Sequence, residues 1–140
     1  MIDQATGEIT LDSGLRIPPR WTEDVFLSSS LASGAVPLVT NGEWHSFRAR
    51  PALISAVLFG IDLTFRAGVL DSVSLELIRE DDATSWDDWS EQQELQRKSD
   101  HDAWLTRIFG SPPPHSFPWG EVTSLYYPQD GSSSITVSYV

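Results

Sequence analysis

A chain of 140 residues with 20 acidic against 9 basic side chains and no cysteine has the length of one domain and a formal charge of −11. That length supports a core burying about two-thirds of the unfolded surface, while the missing cysteine excludes disulfides and thiolate metal sites. The charge repels nucleic acid and anionic membranes and attracts cationic partners, so neither a nucleic-acid nor a membrane role is expected.

The N-terminus, Met1-Ile2-Asp3-Gln4, lacks the basic and apolar regions of a secretory leader,. The longest apolar stretch, Ala52 to Gly60, is interrupted by Ser55 and is too short to span a bilayer,. A soluble, cytoplasmic protein forming one domain over residues 1–140 is the expectation.

In chain order, Glu8 to Asp12 alternates as a short strand closed by Ser13-Gly14,. Thr22 is the predicted N-cap of a short helix with Glu23 and Asp24 in its first turn, and Ser28 to Ser30 end it,. Val36 to Thr40 is a strand leading to Asn41-Gly42, a dipeptide suited to a type I′ hairpin turn, and Trp44 to Arg50 alternates as the return strand,. Leu53 to Phe59 is expected to turn at Gly60 or Ile61-Asp62 into Leu63 to Phe65. After a turn at Ala67-Gly68, Val69 to Ile78 puts Val73, Leu75 and Leu77 on one face,.

From Ser85, a capping residue by its spacing to Asp88, a helix is predicted to Phe109, stopped by Gly110 and Pro112 to Pro114,. Trp86, Trp89, Trp104, Leu105 and Ile108 share one side of it, interrupted by Gln93 and Arg97. Its C-terminal half is therefore expected to dock while its first two turns stand clear. The alternating segment Val122 to Tyr127, the turn Pro128 to Gly131 and the strand around Ile135, Val137 and Tyr139 close the chain,. The whole reads as an α+β fold: an antiparallel sheet of five to seven strands, with the short helix near 22–31 and the longer one near 86–109 on one face.

No nucleophile elbow, P-loop or dinucleotide fingerprint occurs,. His45 sits in a strand and His115 in a proline loop, and His101 is expected to make local ion pairs with Asp100 and Asp102. No histidines are paired at ligand spacing, and Asp81, Asp82, Asp87 and Asp88 lack the register of a calcium loop,. A hydrolase using His101 or His115 ranks last, and no catalytic residue, metal or cofactor is assigned.

The informative cluster is Glu80, Asp81, Asp82, Asp87, Asp88, Glu91 and Glu94, with Trp86 and Trp89 among them and no lysine or arginine from 80 to 96. Aromatic anchors ringed by charge suit a protein interface, the rings supplying buried area and the charges steering. The alternative is a solvated acidic helix cap, since the helix dipole accounts for Asp87 and Asp88 alone.

The runs Ser85-Trp86-Asp87-Asp88-Trp89-Ser90-Glu91, His101-Asp102-Ala103-Trp104-Leu105 and Pro118-Trp119-Gly120-Glu121-Val122 carry a resemblance, joined by the closing strand Ser133 to Tyr139. The opening Thr6-Gly7-Glu8-Ile9-Thr10, with Phe26-Leu27 before a strand, belongs to the same pattern. The chain resembles small acidic single-domain proteobacterial proteins, many of which look like immunity proteins of contact-dependent or secreted toxins. The resemblance implies a cytoplasmic, non-enzymatic binding protein that occludes a cognate toxin with a basic surface. The other expectation is a small accessory or structural interaction protein whose acidity only keeps it soluble.

Overall fold

The computed structural model describes residues 1–79, 82 and 87–140. Its centre is an antiparallel sheet of eight strands: β3 (Val36–Asn41), β4 (Trp44–Arg48), β5 (Ala52–Ile54), β6 (Val57–Arg66), β7 (Val69–Leu77), β8 (His115–Phe117), β9 (Gly120–Tyr127) and β10 (Ser132–Tyr139). Across the sheet the order is β3-β4-β6-β7-β10-β9-β8, with β5 beside the start of β6. A small ribbon, β1 (Ile9–Thr10) with β2 (Arg16–Ile17), joins the N-terminus to it. The fold is α+β as expected, with more strands than the predicted five to seven, because β5 and β8 have only three residues each.

Two helices lie on one face. α1 (Glu23–Leu27) starts where expected, with the Thr22 hydroxyl accepting the Val25 N–H at 3.3 Å. It buries Phe26 in an aromatic cluster with Trp21, Phe47 and Phe65. α2 (Glu91–Phe109) lies across β7, β9 and β10, and Trp104 meets Phe59 of β6 edge to face at 4.8 Å. Beneath both helices the core runs through Phe59, Ile61, Leu63 and Phe65 of β6 and Val73 and Leu75 of β7, all fully buried. Alternation with period two makes this face apolar and leaves the other to Asp62, Thr64, Ser72, Ser74 and Thr136,.

Three predicted boundaries move. The first hairpin turns one residue later than expected: Asn41 pairs with Trp44, so Gly42 and Glu43 form the loop. Gly42 has φ 60 and Glu43 is not left-handed, which excludes a type I′ turn,. The strand after it does not turn at Gly60. β6 runs unbroken from Val57 to Arg66, and the turn lies earlier, at Ser55 and Ala56.

Ser55 and Ala56 hold positive φ values of 49 and 65, which side chains bearing a Cβ disfavour,. The Asp12 carboxylate accepts the backbone N–H of both, each at 2.8 Å, and so holds the turn from outside it. Asp12→Ala is expected to lower stability by about 1 to 2 kcal/mol, read as a drop in the midpoint of thermal unfolding.

The third correction is the long helix. Its cap is Ser90, whose hydroxyl accepts the Gln93 N–H at 3.1 Å, so the helix begins at Glu91 rather than near 86. Asp87 and Asp88 form a turn and Trp89 precedes the cap. The expected capping role of Ser85 lies outside the described residues.

Of the two turns expected to stand clear, Asp87, Asp88, Glu91 and Gln92 are exposed, but from Glu94 onward α2 packs on the sheet. Glu94, Arg97 and His101 are buried there together with Trp104 and Leu105. The reason lies in the sheet. Pairing between β7 and β10 stops at Leu75 with Ile135, although both strands continue. Leu77, paired with Phe59 of β6 but without β10 on its other side, is satisfied by helix side chains: its N–H donates to His101 Nε2 at 3.0 Å and its carbonyl accepts from Arg97. Across the gap, the Ser133 hydroxyl bonds the carbonyl and carboxylate of Glu94 at 3.3 Å. Polar side chains at this face replace ladder hydrogen bonds that the sheet does not make.

Candidate partner-binding surface

The expected acidic surface is divided by the structure. Asp82 and Glu94 are drawn inward to Arg97: Asp82 Oδ1 lies 2.7 Å and Glu94 Oε2 3.3 Å from its guanidinium. Burial disfavours the charge on Arg97, but its hydrogen bonds to Asp82 and Glu94 prevail and raise its pKa. Burial likewise opposes ionisation of Asp82, and the bonds from Arg97 and from the Arg79 backbone prevail and lower its pKa. Glu94 is only 7% exposed, so of the predicted contact residues it faces the fold rather than solvent. Glu80, Asp81 and Trp86, also predicted contacts, lie outside the described residues.

What remains outward is compact. Asp87, Asp88 and Glu91 are exposed at the N-terminal end of α2. Trp89 beside them is half-buried, its indole N–H donating to the Gly131 carbonyl at 2.7 Å, which ties this segment to the β9–β10 turn. The Tyr126 hydroxyl donates to Glu91 at 3.3 Å. Exposed Asp130, one residue before Gly131 in that turn, adds a fourth carboxylate to Asp87, Asp88 and Glu91. Sequence reading missed Asp130 and Tyr126. They stand some forty residues from Asp87, and only the docking of α2 on the β9–β10 hairpin brings them together.

Many of the cations are used internally. Arg16 pairs with Glu8, Arg48 with Asp62, Arg66 with Glu43, Arg79 with Asp100 and Lys98 with Asp102. With Arg97, these cations sit beside carboxylates elsewhere in the fold, while Asp87, Asp88, Glu91 and Asp130 together set up a negative field at this end. Over a Debye length of about 8 Å such a field steers an approaching cationic surface.

The histidines are engaged by the fold. His45 Nδ1 pairs with Glu23 at 2.9 Å, tying β4 to α1. His115 Nε2 lies 2.8 Å from the Ser111 carbonyl and 3.2 Å from its hydroxyl. The carbonyl bond requires a proton on that nitrogen, so it is no base for Ser111. His101 makes no ion pair with Asp100 or Asp102, contrary to expectation. Those carboxylates pair with Arg79 and Lys98, while the ring is fully buried against Phe59. Trp119 stacks on Phe117 at 4.8 Å. Among the described residues no cluster of three or more metal-ligating side chains occurs, and no helix is long and apolar enough to cross a membrane.

No protein-family model and no curated protein matches this chain. Its fold does have a counterpart. Over 99% of this chain and 85% of the other, it superimposes on a chain of the solved structure of "Rhs1-CT in complex with cognate immunity protein RhsI1", with a TM-score of 0.56 and 14% identity. The two share a fold.

Proposed function

We propose that this chain is an immunity-type protein of the bacterial cytoplasm that neutralises a cognate toxin by binding it, without chemistry of its own. The observation that carries the reading is the fold shared along nearly the whole chain with a chain of the solved complex of Rhs1-CT and its cognate immunity protein. The acidic end of α2 supports it: Asp87, Asp88, Glu91 and Asp130 lie around Trp89 and Tyr126, a carboxylate-ringed aromatic patch suited to a basic protein surface,. When such a surface normally holds a polyanion, the carboxylates compete for it, and long-range attraction speeds capture.

The test is genetic and biochemical together. The tagged chain is used to capture its partner from native lysate, and the captured protein is then expressed alone and alongside this chain in a naive host. Growth arrest relieved by co-expression supports the reading. A captured protein that is harmless alone, or the absence of a captured protein, refutes it.

The surface has its own test. Asp87→Lys with Asp88→Lys is expected to slow association about tenfold or more and to flatten its salt dependence. Trp89→Ala is expected to cost about 2 kcal/mol of binding. Both are read by surface plasmon resonance at low and high salt, and unchanged kinetics in both variants would move the interface elsewhere.

A further inference from the structure

Far from the acidic end, at the opposite edge of the sheet, lies a surface of different character. All six residues of β3, Val36, Pro37, Leu38, Val39, Thr40 and Asn41, are exposed, and none is charged. The strand pairs on one side only, with β4, and its outer edge has no strand partner among the described residues. Val36, Leu38 and Val39 are 56%, 42% and 50% exposed. Beside the Leu38–Asn41 half of the strand, Glu43 pairs with Arg66, and Arg48 further along β4 pairs with Asp62, while the exposed Arg50 lies at the other end, against Gly34. Arg66 also lies 5.3 Å above the ring of Trp44 on β4. In a chain of net charge −11, this is a neutral, apolar strip with a free backbone edge.

We infer that β3 is the contact through which two copies of this chain associate, by antiparallel pairing of β3 with its counterpart about a two-fold axis. Charge selects the occupant. A basic partner is drawn to the carboxylates and gains nothing from an uncharged strip, whereas a second copy is repelled everywhere except where local charge is absent. Pairing satisfies open N–H and C=O groups and covers the apolar side chains of both copies.

The geometry also limits the assembly to two. Pro37 lacks an N–H, and the register shift between Pro37 and Val39 leaves Leu38 in a bulge, so the pairing rests on the Leu38–Asn41 half of the strand,. The far edge of the sheet is β8, three residues following Pro112 to Pro114. That blunt edge offers no template for head-to-tail growth, and a self-complementary contact closes on itself.

Sedimentation velocity over a wide concentration range tests this directly. The mass is expected to rise with concentration from 15.6 kDa towards twice that value. Dimer should be favoured at about 0.5 M salt over 0.1 M, because screening removes the repulsion between copies. Capture of a basic partner has the opposite salt dependence, so failure of either reading is visible separately.

Val39→Lys sets like charges beside each other in the dimer and is expected to weaken it about tenfold or more. Its side chain lies outside the core, so circular dichroism should be unchanged. Because the chain has no cysteine, Leu38→Cys is a clean probe: mild oxidation should give covalent dimer within minutes, and Leu53→Cys, exposed elsewhere, should not. A single-chain mass at every concentration and salt would overturn the inference. So would equal cross-linking of the two cysteine variants.

Discussion

Arg97→Ala is expected to cost the fold about 3 to 5 kcal/mol, the loss usual when one partner of a buried ion pair is removed. Its side chain is 8% exposed and that of Glu94 is 9% exposed, so water does not replace the lost guanidinium. Glu94 would be left buried with, among the described residues, the Ser133 hydroxyl at 3.3 Å to solvate its carboxylate. The Leu77 carbonyl, which accepts from Arg97 in place of a strand partner, would lose its donor. Asp82 would lose the bond that holds it at 2.7 Å.

The net value of the pair is a separate question from the cost of breaking it. Joint replacement with Glu94→Leu and Arg97→Met removes both charges and keeps the volume, and is expected to recover most of the loss. Urea unfolding of the two variants beside the parent reads this. Loss below about 1 kcal/mol in Arg97→Ala would mean that the guanidinium is solvated and that α2 is held by its apolar half alone.

The same cluster shows why the sequence was legible in some places and not in others. β7, β9 and β10 were readable because alternation and tight turns are local signals, and Thr22 caps α1 within its own segment. The turn at Ser55 and Ala56 was not readable, since it depends on Asp12, more than forty residues away. Gly60 carried the false signal: a glycine in a strand reads as a break, yet here the strand passes through it. The start of α2 was misplaced because Ser85 precedes Asp88 at capping distance, whereas the cap is Ser90, which stands at the same distance from Gln93. Trp89 was read as one of the apolar positions of the helix, but it precedes the cap and bonds Gly131 of the neighbouring hairpin.

The buried stripe of α2 failed for a deeper reason. Burial is inferred from apolar residues, and Glu94, Arg97 and His101 are the opposite,. Their burial makes sense only once the loss of β10 from the side of β7 beyond Leu75 is known. For the candidate surface, the carboxylates were visible as a run in sequence. Which of them face water was not, because Arg97, three residues beyond the end of the run, claims two of them.

His101 gives the second large effect, and it is one of pH. Burial, with the positive charge of Arg97 as the next cause, holds its pKa down at about 4. Its Nε2 accepts the Leu77 N–H, so the folded state requires that nitrogen unprotonated,. A histidine whose folded pKa lies below its unfolded value of about 6.5 contributes stability that is complete above 6.5 and is lost as pH falls towards the folded value. The linkage gives a loss of about 2 kcal/mol between pH 7 and 5, and on the order of 3 kcal/mol by pH 4.

Between pH 6.5 and 5 this histidine is expected to dominate. Nearer pH 4 the carboxylates enter with opposite signs. Glu76, whose pKa burial raises against the pull of Arg97, takes up its proton more readily when folded and offsets part of the loss. Asp82, with its lowered pKa, adds to the loss at still lower pH. His101→Gln keeps an acceptor for the Leu77 N–H but does not titrate. It is expected to be less stable than the parent at pH 7, from lost packing against Phe59, and to show no slope between pH 6.5 and 5. Urea unfolding midpoints at half-unit steps across that window decide the matter. A parent protein with a flat profile, or a variant that keeps the parent's slope, would place the proton uptake elsewhere and free the end of β7 from its dependence on a neutral imidazole.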